Sequence, residues 1–135
     1  TTGERDVFNP VLRFGRIIFT TLIPLNTACD GGGTSWLMEL DAITGRRLSN
    51  TPFDVNNDGV FTTADALSFG GSSYYVSGRK STVGISNTPT VISGPIGNKP
   101  PEFKITSGSS GSTESIKENA AGVSGRLNWR EIVKD

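Results

Sequence analysis

Leucine, aromatic and β-branched residues dominate two stretches near the N-terminus, as is typical of β-strands. The first runs from Val7 to Arg13, and Pro10 places it at a sheet edge or a bulge because proline has no N–H for a strand ladder. After a turn at Phe14-Gly15, the second runs from Arg16 to Ile23. A two-stranded hairpin is therefore predicted over residues 7–25.

The next stretch alternates strictly between apolar and other residues. Trp36, Met38 and Leu40 recur with period two, which predicts a third strand whose apolar face lies in the core. A tight turn at 41–45 then leads to a short fourth strand at 46–48. Four strands in up-and-down order over about forty residues are the layout of one propeller blade or of a small β-sheet module.

The second half of the chain is broken by proline and glycine. Residues 83–85 and 90–92 are strand-like pieces between prolines, which predicts edge strands. Residues 106–115 are almost entirely Gly, Ser and Thr, a composition that predicts a flexible linker or loop. Residues 126–133 regain Leu, Trp, Ile and Val, so a last strand or helical turn is expected there.

Composition limits the possible functions. The 135 residues suffice for one domain, and 13 basic against 13 acidic residues leave no net charge to attract nucleic acid. There is no histidine, which excludes Ser-His-Asp and Cys-His catalysis. No apolar stretch approaches the roughly 20 residues that span a bilayer. Cys29 is the only cysteine, so it either pairs with another segment or is a buried thiol, and the start without methionine suggests a piece of a larger protein.

A twelve-residue pattern at 54–65 carries the clearest chemistry. Oxygen-bearing side chains occupy positions one, three, five, nine and twelve, glycine occupies position six, and a backbone carbonyl can serve at position seven. Ca²⁺ prefers six to eight oxygen ligands, and alternate residues of a tight turn can all point inward. The sequence therefore predicts a structural calcium site formed by Asp54, Asn56, Asp58, Val60, Thr62 and Asp65.

The alternative for this segment is an ordinary surface turn rich in Asp and Asn. Five matching oxygen positions and the glycine favour the ion. Thr51-Pro52-Phe53 rules out a helix leading into the loop, so a regulatory EF-hand is not expected. A short exit helix is predicted at about 63–69, ended by Gly70-Gly71. The whole chain is thus predicted as one all-β module, 1–135, with blade-like strands (1–50), calcium loop and short helix (51–70), and short strands with a Gly/Ser-rich loop and C-terminal segment (71–135).

Several segments resemble the C-terminal part of the PilC/PilY-type type IV pilus proteins. They are Gly3-Glu4-Arg5, residues 10–12 and 15–24, the run Gly32-Gly33-Thr34-Ser35-Trp36-Leu37-Met38-Glu39-Leu40-Asp41, the segment from Phe53 through the calcium loop, Val76-Ser77-Gly78-Arg79, Gly84-Ile85, Gly125-Arg126 and Trp129-Arg130. The resemblance implies the end of a quinoprotein-like β-propeller plus a tail.

The same resemblance implies a non-enzymatic pilus assembly and adhesion factor at the bacterial cell surface, pilus tip or outer membrane. The implied partners are minor pilins or pilus tip proteins, the remainder of the parent chain and a host surface ligand, and the implied cofactor is Ca²⁺.

Two rival interpretations remain open. Leu40-Asp41-Ala42-Ile43-Thr44-Gly45 is similar to the blade repeat of quinone-dependent dehydrogenases, although Glu39 and Leu48 depart from that pattern. The run Asp54-Val55-Asn56-Asn57-Asp58-Gly59 followed by Thr62-Thr63-Ala64-Asp65-Ala66-Leu67 is similar to the calcium-loop-helix unit of a dockerin, but a dockerin normally repeats this unit and the chain has it once. Bound quinone or a second calcium loop would distinguish these classes.

Overall fold

The computed structural model describes residues 3–26, 32–94 and 101–120. Within them the chain forms ten strands and one 3-10 turn, which confirms the all-β prediction. The strands are β1 (Arg5–Asp6), β2 (Val11–Arg13), β3 (Arg16–Pro24), β4 (Gly33–Asp41), β5 (Ala66–Phe69), β6 (Ser72–Tyr75), β7 (Gly78–Lys80), β8 (Thr90–Ser93), β9 (Pro101–Ser107) and β10 (Thr113–Asn119), with the 3-10 turn at Thr63–Asp65.

The first sheet is built around the long antiparallel pair β3 and β4. Nine residue pairs join these strands, from Arg16 opposite Asp41 to Pro24 opposite Gly33. Strands β1 and β2 share the other edge of β3, and β7 pairs with β4. The predicted hairpin is thus confirmed for β2 and β3, with its turn at Phe14-Gly15.

The fourth strand of this sheet differs from the prediction. Residues 46–48 lie in no strand, and β7, some thirty residues later, occupies the expected place beside β4. The 41–45 turn is present: the Oδ1 atom of Asp41 accepts the N–H groups of Ile43 and Thr44 at 3.1 and 2.8 Å. Strand β4 therefore pairs with β7, which follows the loop at 54–65, and not with the residues that come directly after β4 in the sequence.

The second sheet has the order β10-β9-β8, with all pairs antiparallel. Strand β8 is an edge strand, as the prolines predict, whereas residues 83–85 lie in no strand. The flexible linker or loop predicted at 106–115 is wrong for the residues at its two ends, which belong to β9 and β10, and only residues 108–112 form the turn of this hairpin. Gly111 has a φ of 81°, and Gly108 donates its N–H to the Ser112 carbonyl at 2.9 Å.

The two sheets face each other across a small core. Ile18 and Leu37 of the first sheet pack with Ile116 of the second and with Phe53, and each is at most 2% exposed. The inner faces are otherwise polar: they carry buried arginine, lysine, glutamate, serine and threonine side chains, among them Arg16, Thr20, Ser35, Glu39, Glu102, Lys104, Thr106 and Glu118.

The apolar stripe of β4 faces outward, which contradicts the prediction that it forms the core. Ser35, Leu37 and Glu39 are buried, whereas Trp36 and Met38 are only half-buried. The ion pair between Glu39 on β4 and Lys104 on β9 explains why this face is buried, since it holds the Glu39 side chain between the two sheets. Leu40 and, on β3, Ile17 and Phe19 are also half-buried, so the outer face of this sheet is apolar.

Three remaining expectations concern other segments. The short helix predicted at 63–69 is a single 3-10 turn followed by β5, which pairs with β6 as a separate hairpin. Alternating Leu67 and Phe69 side chains suit a strand better than a helix face. Cys29 and the C-terminal segment 126–133 lie outside the described residues.

Candidate metal site in the 54–65 loop

The 54–65 loop is anchored at its start to the core. Phe53, 1% exposed, forms a β-bridge with Glu118, so the chain enters the loop from a fixed point. The Arg79 guanidinium donates to the Asp54 carbonyl at 3.4 Å, and the Lys117 ammonium donates to the Gly59 carbonyl at 3.0 Å. Both anchors lie over twenty residues further along the chain, where no local pattern points to them.

The first half of the loop folds around the Asp54 carboxylate. Its two oxygens accept the N–H groups of Asp58 and Gly59 at 3.2 and 2.8 Å. The Asn56 side-chain oxygen accepts the same Asp58 N–H at 3.0 Å, and the Asn56 amide donates to Asp58 Oδ2 at 2.9 Å. The first three predicted ligands are therefore brought together in one turn.

Backbone conformation explains the glycine at position six. Gly59 has a φ of 82°, a left-handed conformation that side chains with a Cβ rarely adopt. Asn57 also has a positive φ, 59°, which asparagine tolerates better than most residues. Val60 then donates its N–H to Asp58 Oδ1 at 2.8 Å, so its carbonyl follows directly after the reversal.

Asp65 closes the loop from inside. Its side chain is fully buried, and its Oδ1 atom accepts the Val55 N–H at 2.8 Å while its Oδ2 atom accepts the Thr62 N–H at 2.8 Å. The Thr62 hydroxyl in turn accepts the Ala64 N–H at 3.2 Å, which makes Thr62 and Asp65 a reciprocal capping box. Position twelve thus ties the end of the loop to its beginning.

The donor set fits a hard divalent cation. All six predicted ligands offer oxygen, and the glycine reversal is present. Each carboxylate oxygen of Asp54 and Asp58 accepts one N–H group and keeps a second lone pair for a cation. In the described part of the chain, however, no three His, Cys, Asp or Glu side chains form a group that could hold a metal ion. Amide, hydroxyl and carbonyl oxygens from Asn56, Thr62 and Val60 would have to complete the shell.

The loop carries negative charge with few compensating groups. Residues 51–70 contain three acidic and no basic side chains, and the nearby cations of Arg79 and Lys117 are directed at carbonyl oxygens. A bound cation would offset the mutual repulsion of Asp54, Asp58 and Asp65. The arrangement can therefore act as a structural clip, and nothing in it resembles a nucleophile with an adjacent base.

Comparison with known proteins gives one partial match. The chain is 43% identical over 44 residues to a protein described as "Type IV pilus biogenesis factor PilY1 homolog" from Xylella fastidiosa (strain Temecula1). The match covers 32% of this chain and 3% of the relative's length. No family model and no solved structure matches. None of the helical segments in residues 3–26, 32–94 and 101–120 has the length and apolar character to cross a membrane. Part of the chain is thus similar to a PilY1-type pilus biogenesis factor.

Proposed function

We propose that this chain is a calcium-stabilised, non-enzymatic module of a type IV pilus assembly and adhesion factor at the bacterial cell surface. The observation that carries the proposal is the 44-residue similarity to a protein described as a type IV pilus biogenesis factor PilY1 homolog. The loop at 54–65 supports the calcium part of the proposal, because its oxygen donors suit Ca²⁺ and because its three carboxylates accept N–H groups of the backbone and of Asn56 rather than a cationic side chain of the described residues.

The outer face of the first sheet supports association with the remainder of a parent chain. On the first sheet, Ile17, Phe19 and Met38 form an apolar surface that is only half-buried, while the inner face carries the charges. A sheet that keeps ions inside and apolar side chains outside gains stability when a second apolar layer covers it. A neighbouring sheet of the same parent protein, as in successive propeller blades, would supply that layer.

Minor pilins or pilus tip proteins are the partners that fit this proposal, with a host surface ligand as a further one. Surface plasmon resonance of the immobilised chain against purified minor pilins tests the first. We expect saturable binding that weakens when calcium is chelated, and absence of binding to every minor pilin tested would contradict the assembly role of this module.

Calorimetric titration of Ca²⁺ into chelator-treated protein tests the cofactor. We expect one-site binding and a higher melting temperature, since calcium at one hundred times its dissociation constant stabilises the fold by about 2.7 kcal/mol. Asp58→Ala should abolish the binding because it removes a predicted ligand. The variant should still fold, because Asp58 is exposed. Asp6→Ala, an exposed carboxylate outside the loop, is the matched control and should bind normally. An unchanged titration for Asp58→Ala would remove the site.

The dockerin alternative receives no support from the loop's continuation. A dockerin unit requires a helix after its calcium loop, whereas residues 66–69 form strand β5. The segment that would be this helix instead forms an exposed hairpin with β6.

A further inference from the structure

Three charged side chains meet in the interior between the two sheets. Glu39 on β4, Lys104 on β9 and Glu118 on β10 are each 0% exposed. The Lys104 ammonium contacts a carboxylate oxygen of Glu39 and one of Glu118. The proposed function uses none of these residues, and burying three charges without a role is costly.

The two glutamates have different surroundings. The second oxygen of Glu39 accepts a hydrogen bond from the Arg16 guanidinium at 3.1 Å, so this carboxylate keeps a cationic partner whatever Lys104 does. The second oxygen of Glu118 is buried and has no hydrogen-bond partner. Lys104 therefore contacts two different carboxylates: Glu39 is also paired with Arg16, whereas Glu118 relies on Lys104 for its side-chain hydrogen bond.

The state of the lysine favours nucleophilic chemistry. Burial lowers the pKa of Lys104 below its ordinary value, and the nearby charge of Glu39 only partly opposes this effect. Proton transfer within the Lys104–Glu118 pair gives a neutral amine beside a neutral carboxylic acid and removes two charges from the interior. An amine and a carboxylic acid held in contact and shielded from bulk water are the reactants of amide formation.

The strand register makes a bond between these two side chains geometrically simple. Lys104 lies opposite Ile116, and Glu118 lies opposite Glu102, so Lys104 and Glu118 are diagonal neighbours on the same face of the β9–β10 hairpin. Glu39 approaches from the facing sheet and contacts the same amine.

We propose that Lys104 and Glu118 condense into a side-chain isopeptide bond that links β9 to β10, with Glu39 as the proton carrier. The Nζ atom of the neutral amine attacks the Cδ atom of the protonated Glu118 carboxyl group. Glu39 takes one amine proton and returns it to the departing hydroxyl. The Nζ–Cδ bond forms, the Cδ–O bond breaks, and one water molecule leaves, so the step needs no oxidant, reductant or external reagent.

The charges that remain after this reaction are matched. Arg16 still pairs with Glu39, and Arg13 still pairs with Glu102, whose Oε1 atom accepts the Arg13 Nε–H at 2.6 Å. The new amide N–H stays within reach of the Glu39 carboxylate. One buried ion pair is thus replaced by a neutral, covalently fixed amide.

The test is the mass of the folded chain after denaturation. Protein that elutes as one species and unfolds cooperatively is expected to weigh one water molecule less than its sequence. Peptide mapping is required as well, because Asp58-Gly59 can also lose water by forming a succinimide. A branched peptide joining Lys104 to Glu118 is the expected product, and an unbranched Lys104 peptide with a free amine from the folded sample would overturn the proposal.

Variants separate the roles of the three residues. Lys104→Arg and Glu118→Ala should show no branched peptide. Glu39→Gln, which keeps the size and a hydrogen-bonding group, should fold and retain both reactants unlinked, and full cross-linking in it would overturn the role of Glu39. Lys80→Arg, an exposed lysine outside the cluster, is the matched control and should keep the branched peptide.

Discussion

Replacing Asp65 by alanine should destabilise this protein even when no calcium is present. The carboxylate is fully buried and accepts the N–H groups of Val55 and Thr62, both at 2.8 Å. Alanine leaves both donors without a partner, and each unsatisfied buried group costs about 1–3 kcal/mol. Because these bonds are only partly buried, we expect a loss of about 3 kcal/mol in the free energy of unfolding, or about 10 °C in melting temperature.

Urea and thermal unfolding in excess chelator measure this effect without the ion. Asp65→Asn keeps one acceptor oxygen and should lose about half as much. Asp58→Ala removes only exposed hydrogen bonds and should change the free energy of unfolding by less than about 1 kcal/mol in chelator. If Asp65→Ala unfolds like the wild type under these conditions, the capping role of the carboxylate is refuted, whatever the calcium titration shows.

Three further predictions concern the core, the turns and pH. Phe53→Ala should cost about 3–5 kcal/mol because Phe53 is 1% exposed in the core, whereas Phe69→Ala, 82% exposed, should change stability by less than about 0.5 kcal/mol; urea unfolding of both tests this. Gly108→Ala should lower the melting temperature, since a Cβ there would collide with a neighbouring backbone carbonyl. The hydrogen bond from the Thr44 N–H lowers the pKa of Asp41. The Asp41 carboxylate therefore stabilises the fold fully above its unfolded-state pKa, and this stabilisation is lost as the pH falls through its folded-state pKa. Unfolding curves of Asp41→Asn at several pH values should show a weaker dependence of stability on acid.

Local sequence patterns correctly predicted the elements whose conformation is determined by a few consecutive residues. The β-branched run from Arg16 to Ile23 became β3, and the alternation from Trp36 to Leu40 became part of β4. The glycine reversal and clustered oxygen side chains of the 54–65 loop are likewise local. Each depends on the intrinsic conformational preference of a few consecutive residues, which acts before any tertiary contact forms.

Segments without a strong local preference were predicted wrongly. Residues 106–115 have the composition of a linker, yet they turn tightly because β9 and β10 on either side pair along seven residues. Residues 66–69 could continue a helix, but pairing with β6 makes them a strand. In both cases hydrogen bonds to a partner strand decide the conformation, and composition alone carries no information about that partner.

The sequence by itself determined that the protein is all-β, that a long strand begins at Arg16 and that one loop is built from oxygen donors. Only the tertiary structure decided which face of β4 is buried. Alternation marks two faces but does not say which one meets the other sheet, and here the Glu39 side with its link to Lys104 lies inside while Trp36 and Met38 face outward. The physical reason is that a buried carboxylate requires cationic partners, and one of the two that contact Glu39, Lys104, lies 65 positions away on a different sheet.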